Sequence, residues 1–222
     1  MTITKQILTF LKNLEAPKNL PQDVEVLNPF RNSDTWKYVE DFYTQYYNNS
    51  ELRVIVFGIN PGRLGGGITG IPFTDPIRLE EKCGINNKFN KRPELSSTFI
   101  YEMIAAYGGP TAFYQKFYIS AVSPLGYLMR GRNLNYYDIP GWKNIFTDYA
   151  IKMIKEQSAF IRNDIAVCIG QGQNLKFLEA INDQYQFFKK IITVPHPRWI
   201  MQYRLKRKQE FIEAYLNSLR LD

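Results

Sequence analysis

Four short apolar runs recur along the chain, each rich in β-branched residues and each followed by glycine, proline or polar residues. The runs are Leu52–Phe57, Phe117–Val122, Ile165–Ile169 and Lys190–Val194. This pattern is typical of buried strands that enter tight loops. Helical segments are predicted around them at 34–47, 97–107, 111–116, 141–160, 174–182 and 201–219. Strands that alternate with helices predict an α/β fold, in which a parallel sheet has helices on both faces.

The segments that join these elements are also informative. Residues 1–15 place apolar side chains at helical spacing, which predicts a docking helix rather than a signal peptide. A loop over Ala16–Asn32 follows, and Asp34 is the predicted N-cap of the next helix. The segment 61–93 is dense in Gly, Pro, Asn and Asp and too long for an ordinary connection, so we expect a functional loop around the site. Arg130–Asn135 is a second predicted loop, basic and rich in asparagine.

A chain of 222 residues can bury a sizeable core, and we expect one domain over residues 1–222. Its composition, 45% hydrophobic and 22% charged, is that of a globular protein. No stretch of the sequence is long and apolar enough to span a membrane. The two cysteines, Cys83 and Cys168, lie far apart and argue for a reducing compartment. The expected location is therefore the cytoplasm, with the nucleoid as the site of action in a bacterium.

The formal net charge is +7 and the sequence pI is near 9.3, which favours a polyanionic partner. Much of the excess lies in residues 198–208, a basic run without any acid that contains Arg198, Arg204, Lys206, Arg207 and Lys208. On charge alone, this basic run could equally be the solvated face of a helix. The position of the basic run just after a strand end favours contact with phosphates.

Two polar residues directly follow predicted strands, where open parallel sheets build their ligand sites. Asn60 lies in Gly-Ile-Asn-Pro-Gly after the first strand, and His196, the only histidine of the chain, lies in Pro-His-Pro-Arg after the fourth. Phe73 adds an aromatic ring near the first loop. Together with a basic rim, such groups can stack a planar ring, orient water and stabilise an oxyanion. They predict a nucleobase pocket.

Other chemistries fit the sequence less well. Gly170-Gln171-Gly172 lacks the third glycine and the acidic partner of a dinucleotide site, and Arg63–Gly67 is not followed by the GK[ST] of a P-loop. His196 could serve a serine hydrolase, but no G-x-S-x-G elbow presents a nucleophile. One histidine without clustered carboxylates makes no recognisable metal-ligand set, so no metal is expected.

Five ordered blocks lie across residues 52–204, namely GINPG, TGIPF, SPL followed by GRN, CIGQG before a helix, and HPR. In order and approximate spacing they resemble the uracil-DNA glycosylase superfamily, and within it the single-strand-selective monofunctional uracil-DNA glycosylase family, as a divergent bacterial branch. The resemblance implies a three-layer α/β/α sandwich around a four-stranded parallel sheet. It also implies hydrolysis of the N-glycosidic bond of a damaged base without a metal or cofactor.

The same resemblance implies roles for individual residues. Asn60 matches the asparagine that positions the attacking water, and His196 matches the histidine that hydrogen-bonds the base oxygen. Phe73 matches the aromatic on which the flipped base stacks. The loop with Arg198 resembles the intercalation loop that fills the hole left in the duplex. The other expected contacts are Ile59, Gly62, Ser120, Ala121 and Ser123 with the base, and Arg132, Trp199, Arg204, Lys206, Arg207 and Lys208 with DNA.

The chain departs from the family pattern in two places. The family commonly has two residues between the proline and the arginine of its HPSPR block, and this chain has none, so the wedge is shortened or rebuilt with Trp199, Ile200 or Met201. Where the family reads uracil with an asparagine two residues before its CPL block, this chain has Ala121. We expect base choice to be altered or broadened, to xanthine or hypoxanthine, with Ser120 or Ser123 making the polar contact.

Asp75 has two interpretations. As a carboxylate beside the first loop it could orient water or assist release of the base. In an Asp-Pro turn it could equally cap the chain that follows.

These features predict a monofunctional DNA glycosylase of base excision repair that flips out a deaminated base and leaves an abasic site. No lysine stands at a motif position suited to a Schiff base, so lyase activity is not expected. The expected partner is DNA with deaminated bases, single- or double-stranded, and the expected state is a monomer. Two other functions stay open. A catalytically silent nucleic-acid binder would not need both Asn60 and His196, and a hydrolase of free nucleosides would not need the basic run.

Overall fold

The structure, a computed structural model, describes residues 2–220. In this part of the chain the α-helices are α1 Ile3–Lys12, α2 Ser33–Tyr47, α3 Gly66–Thr69, α4 Pro76–Glu81, α5 Leu95–Tyr107, α6 Gly109–Lys116, α7 Trp142–Gln157, α8 Gln173–Tyr185, α9 Pro197–Tyr203 and α10 Lys208–Leu219. The strands are β1 Val24–Leu27, β2 Arg53–Gly58, β3 Phe117–Ala121, β4 Gly126–Met129, β5 Arg132–Leu134, β6 Ile161–Ile169 and β7 Lys190–Val194. None of these helices is both long enough and apolar enough to cross a membrane.

The main sheet has the strand order β3-β2-β6-β7, and every neighbouring pair is parallel. β2 lies inside it and is buried along its whole length, which is why its sequence is an unbroken apolar run rather than an alternating one. Val56 of β2 pairs with Ile119 of β3 and Val167 of β6, and Val167 pairs with Ile192 of β7. This register brings all four carboxyl ends to one edge.

Helices cover both faces of the main sheet. On one face α5 and α10 pack against alternate residues of the strands, among them Val56, Ile119, Val167 and Val194. On the other face Tyr118 of β3 meets Tyr47 of α2 edge to face. Ser120 on the same strand donates a hydrogen bond to Gln157 of α7. The α/β prediction and the three-layer arrangement are confirmed.

A second sheet, antiparallel and in the order β1-β4-β5, forms beside the main one. It occupies two stretches predicted as loops, Ala16–Asn32 and Arg130–Asn135, and those two predictions are wrong there. Arg130 and Gly131 both have positive φ, 50° and 71°, which closes a two-residue turn between β4 and β5. The strands are short and β1 pairs only with a segment distant in sequence, so local patterning gave no signal of the sheet.

Several boundaries differ from the prediction for local reasons. Asn32, not Asp34, caps α2, because its side chain accepts hydrogen bonds from the first-turn amides. The predicted helix 201–219 is divided near Arg204 into α9 and α10 by a short 3₁₀ turn. The loop 61–93 contains α3 and α4. The N-terminal docking helix is present as α1, and Met1 lies outside the described residues.

Candidate active site at the carboxyl edge of the sheet

A cleft of about 360 Å³ opens at the carboxyl edge of the main sheet. Residues at the ends of all four strands line it, including Asn60 after β2, Ala121 of β3, Gly170 after β6 and His196 after β7. The cleft therefore brings together the two residues that the sequence separates by more than half of its length. Ile59, Gly62 and Phe73 line the same cleft.

The amide of Asn60 is held in one orientation by the backbone at the end of β5 and just after it. Its Nδ2 donates to the carbonyl oxygen of Leu134 at 3.0 Å, and its Oδ1 accepts from the amide of Tyr136 at 2.9 Å. A weaker contact of 3.4 Å joins Nδ2 to the carbonyl of Pro61. A carbonyl oxygen can only accept and a backbone N–H can only donate, so a flipped amide is excluded. Oδ1 keeps one lone pair for a ligand.

His196 is the N-cap of α9, and this fixes its tautomer. Nδ1 accepts a hydrogen bond from the backbone N–H of Arg198 at 3.2 Å, so the ring hydrogen lies on Nε2. Burial, with a smaller contribution from the Arg198 charge, lowers the pKa of His196 to about 4. The imidazole is neutral at pH 7 and carries an Nε2–H donor.

Phe73 has a backbone conformation that is uncommon for an aromatic residue, with φ of 52° in the left-handed region. The ring packs against Gly58. A Cβ at position 58 would clash with Cε2 of Phe73 at 2.9 Å, so glycine there makes room for the ring. The ring centroid is 6.2 Å from that of His196. Thr69 supports the turn, because its hydroxyl donates to the carbonyl of Thr74 at 2.7 Å. An imposed backbone conformation beside a cleft indicates a ring placed for contact with a ligand.

Asp75 does not line the cleft and is not a water-orienting carboxylate in this structure. It is fully buried as the N-cap of α4, and its Oδ1 accepts from the amides of Ile77 and Arg78 at 3.0 and 2.9 Å. Its Oδ2 accepts from the amide of Glu94 at 2.9 Å and lies 3.4 Å from the Arg78 guanidinium. The capping interpretation is the correct one.

The two serines expected to contact the base have other partners. Ser120 lines the cleft, but its hydroxyl donates to Oε1 of Gln157, at the end of α7, at 2.7 Å. Ser123 is fully buried with its hydroxyl 2.7 Å from that of Tyr127, and it does not line the cleft. Ala121 contributes no polar side chain. Both hydroxyls therefore have partners within the protein, and a serine contact with the base stays a prediction.

The basic residues differ in how far they are already paired. Arg207 forms an ion pair with Glu210 at 2.7 Å, and Lys208 forms one with Glu102 at 2.6 Å. Arg204 lies over the Trp199 ring, 4.9 Å from its centroid. Within residues 2–220, Arg132, Arg198 and Lys206 have no acidic partner within ion-pair distance. Arg198 and Trp199 line the cleft.

The cleft also contains polar residues that were not among the predicted site residues. Glu94 lines it, and burial and the nearby Asp75 raise the pKa of its carboxyl to about 7, against the lowering effect of Arg198. Asn133 lines it too, with its Oδ1 accepting from the amide of Arg63 at 3.0 Å. Tyr203 stands at the cleft with 65% of its surface exposed. Glu94 belongs to no motif, and only its position in the fold identifies it. Among the described residues, no group of three or more His, Cys, Asp or Glu could hold a metal.

Comparisons with known proteins show which proteins this chain is similar to. The sequence model of the uracil DNA glycosylase superfamily matches residues 44–220. The chain is also similar to a solved structure, the crystal structure of wild-type SMUG2 from Pedobacter heparinus, with a TM-score of 0.94 and 42% sequence identity. That match covers 99% of this chain and 97% of the other. No curated protein sequence matches this chain.

Proposed function

The chain belongs to the uracil DNA glycosylase superfamily, and we propose that it excises uracil and other deaminated bases from DNA by flipping the base into the cleft. As a member of this superfamily it is a DNA glycosylase, a hydrolase of N-glycosyl bonds. The family resemblance in the sequence is confirmed. The convergence of Asn60, His196 and Phe73 on one cleft is the observation that supports the proposed mechanism.

In this mechanism the base stacks on Phe73 while the free lone pair on Asn60 Oδ1 accepts a hydrogen from the attacking water. The N-glycosidic bond breaks as positive charge grows on the sugar and negative charge grows on the leaving base. His196 donates from Nε2–H to a carbonyl oxygen of that base. A fixed donor of this kind is worth about 2.7–4 kcal/mol by analogy with oxyanion holes.

DNA lies across the mouth of the cleft in this proposal. Arg132, Arg198 and Lys206 contact phosphates, because no acid of residues 2–220 lies within ion-pair distance of them. Ile200 is fully buried and cannot enter a duplex. Trp199 is packed between Arg204 and Phe211. Tyr203, the most exposed ring at the cleft, fills the gap that the flipped base leaves.

Base choice is broader than uracil in this proposal, because Ala121 offers no amide to read a pyrimidine edge and both serines are occupied. The enzyme acts as a monomer and leaves an abasic site without cutting the strand.

The experiment is alkali-developed cleavage of labelled oligonucleotides with a single uracil, xanthine or hypoxanthine, in single and double strands. Wild type should release uracil and at least one purine, while Asn60→Ala and His196→Ala should lose cleavage and keep DNA binding. Release of uracil alone would contradict the broader base choice. No release of any base by folded wild type would contradict the proposed function.

A further inference from the structure

Glu94 is the one acidic residue that lines the cleft within residues 2–220. It stands at the N-cap position of α5, yet its side chain does not cap that helix. The carboxyl group lies instead against the loop that carries Asn60. A Cβ on Gly62 would come within 3.0 Å of its Oε1, and a Cβ on Gly65 would overlap its Oε2. The two glycines therefore leave room for a carboxyl group beside the Asn60 loop.

The main chain of Glu94 is fixed, but its carboxyl group is free. Its backbone N–H donates to Asp75, and its carbonyl accepts from Thr98. In the described part of the chain no hydrogen bond or ion pair reaches the carboxyl oxygens. Buried polar groups are normally satisfied by the protein or by water. A half-buried carboxyl without a partner in a cleft is available to a water molecule or a ligand.

Hydrolysis of the N-glycosidic bond by water requires a proton acceptor. Water that attacks the sugar must lose a proton, and the amide of Asn60 has no basic site. His196 cannot supply one either, because Nδ1 accepts from Arg198 N–H and Nε2 already carries hydrogen. The carboxyl group of Glu94 is the remaining candidate among the side chains around the cleft.

We propose that the Glu94 carboxylate is the general base that takes a proton from the attacking water, an inference that rests on the proposed glycosylase reaction. The water oxygen bonds to C1′ of the sugar, and one water proton moves to a Glu94 oxygen. The N-glycosidic bond breaks, and its electron pair goes to the base nitrogen. The base leaves as an anion hydrogen-bonded to His196 and takes a proton from solvent, while Glu94 returns its proton to solvent.

The charged groups around Glu94 suit this role. Asp75 approaches from the start of α4 and is paired with Arg78, whereas Arg198 approaches from α9. Lys91 precedes Glu94 in the chain but is paired with Glu80. Burial and Asp75 raise the pKa of Glu94 to about 7, which is near the value at which a general base works best at neutral pH.

The test is the pH dependence of single-turnover cleavage of a uracil oligonucleotide by wild type, Glu94→Gln and Glu81→Gln. Glu81→Gln is the matched control, because it removes the same charge from an exposed site outside the cleft. Wild type and Glu81→Gln should gain rate as the pH rises through about 7. Glu94→Gln should be slower by about 10²–10⁴-fold and lose this rise, with unchanged DNA binding by fluorescence anisotropy.

A Glu94→Ala variant provides an independent measurement. Removal of the side chain leaves space for a small carboxylate, so sodium formate should restore cleavage above the level in sodium chloride of equal ionic strength. A Glu94→Gln variant as active as wild type would overturn the proposal, since an amide keeps the hydrogen bonds of a carboxyl but not its basicity. That result leaves the glycosylase function intact, whereas a wild type that cleaves no substrate would contradict the function itself.

Discussion

The state of the single imidazole is the most direct consequence of the site geometry. His196 accepts a hydrogen bond at Nδ1, is half-buried and faces the Arg198 charge, and its pKa is lowered to about 4. At pH 5 a histidine with this pKa is about 9% protonated, whereas one with the ordinary pKa of about 6.5 is about 97% protonated. The chain has one histidine, so a nuclear magnetic resonance titration of the imidazole gives one signal without assignment.

We expect a titration midpoint near pH 4 and nitrogen shifts of the Nε2–H tautomer. Arg198→Ala should raise the midpoint, because it removes a repulsive charge. Lys206→Ala serves as the control, because it removes a positive charge that does not contribute to the lowered pKa. The unfolded chain binds this proton at a higher pH than the folded chain, so stability should fall as the pH drops from about 6.5 to 4. A midpoint near 6.5, or hydrogen on Nδ1, would refute the reasoning.

Three further predictions concern the helix cap at Asp75, the packing of Phe73 against Gly58 and the contact of Lys206 with DNA. Asp75→Ala should lower the free energy of unfolding by about 2–4 kcal/mol in urea titrations, because three backbone amides lose their acceptor. The same change at exposed Asp34 should cost little, and equal losses would argue against the capping role. Gly58→Ala should displace the Phe73 ring and lower the free energy of unfolding by about 1–3 kcal/mol. It should also weaken the binding of free base to the complex with abasic-site DNA, as measured by calorimetry. Lys206→Ala should reduce the slope of log K against log salt by about 0.9 on duplex DNA, with a smaller change for Arg207→Ala because Glu210 already holds Arg207. Equal slopes for wild type and Lys206→Ala would remove Lys206 from the interface.

The main sheet could be predicted from the sequence because its signals are local. Each strand is a short apolar run buried in the sheet, and each ends at glycine, proline or polar residues that mark the turn. The parallel arrangement follows from the alternation of strands and helices. Asn60 and His196 were identified because position after a strand end already implies position at the ligand-binding edge.

The second sheet, the partners of the serines and the position of Glu94 were decided by tertiary structure. β1 is only four residues long and is paired with a segment about a hundred residues away, so no local pattern indicates it. The sequence does not show whether a serine hydroxyl faces a ligand or another part of the protein. The structure shows that Ser120 hydrogen-bonds Gln157 and that Ser123 hydrogen-bonds Tyr127.

The sequence by itself determined the fold class and the edge at which the chemistry lies, because hydrophobic periodicity and turn residues act over a few neighbouring positions. The protonation state of each side chain was decided by the tertiary structure. The pKa of His196 is lowered mainly by burial and further by the charge of Arg198, and the pKa of Glu94 is raised by burial and by Asp75. These effects depend on desolvation and on distances between elements that are remote in the chain, which residue order alone does not specify.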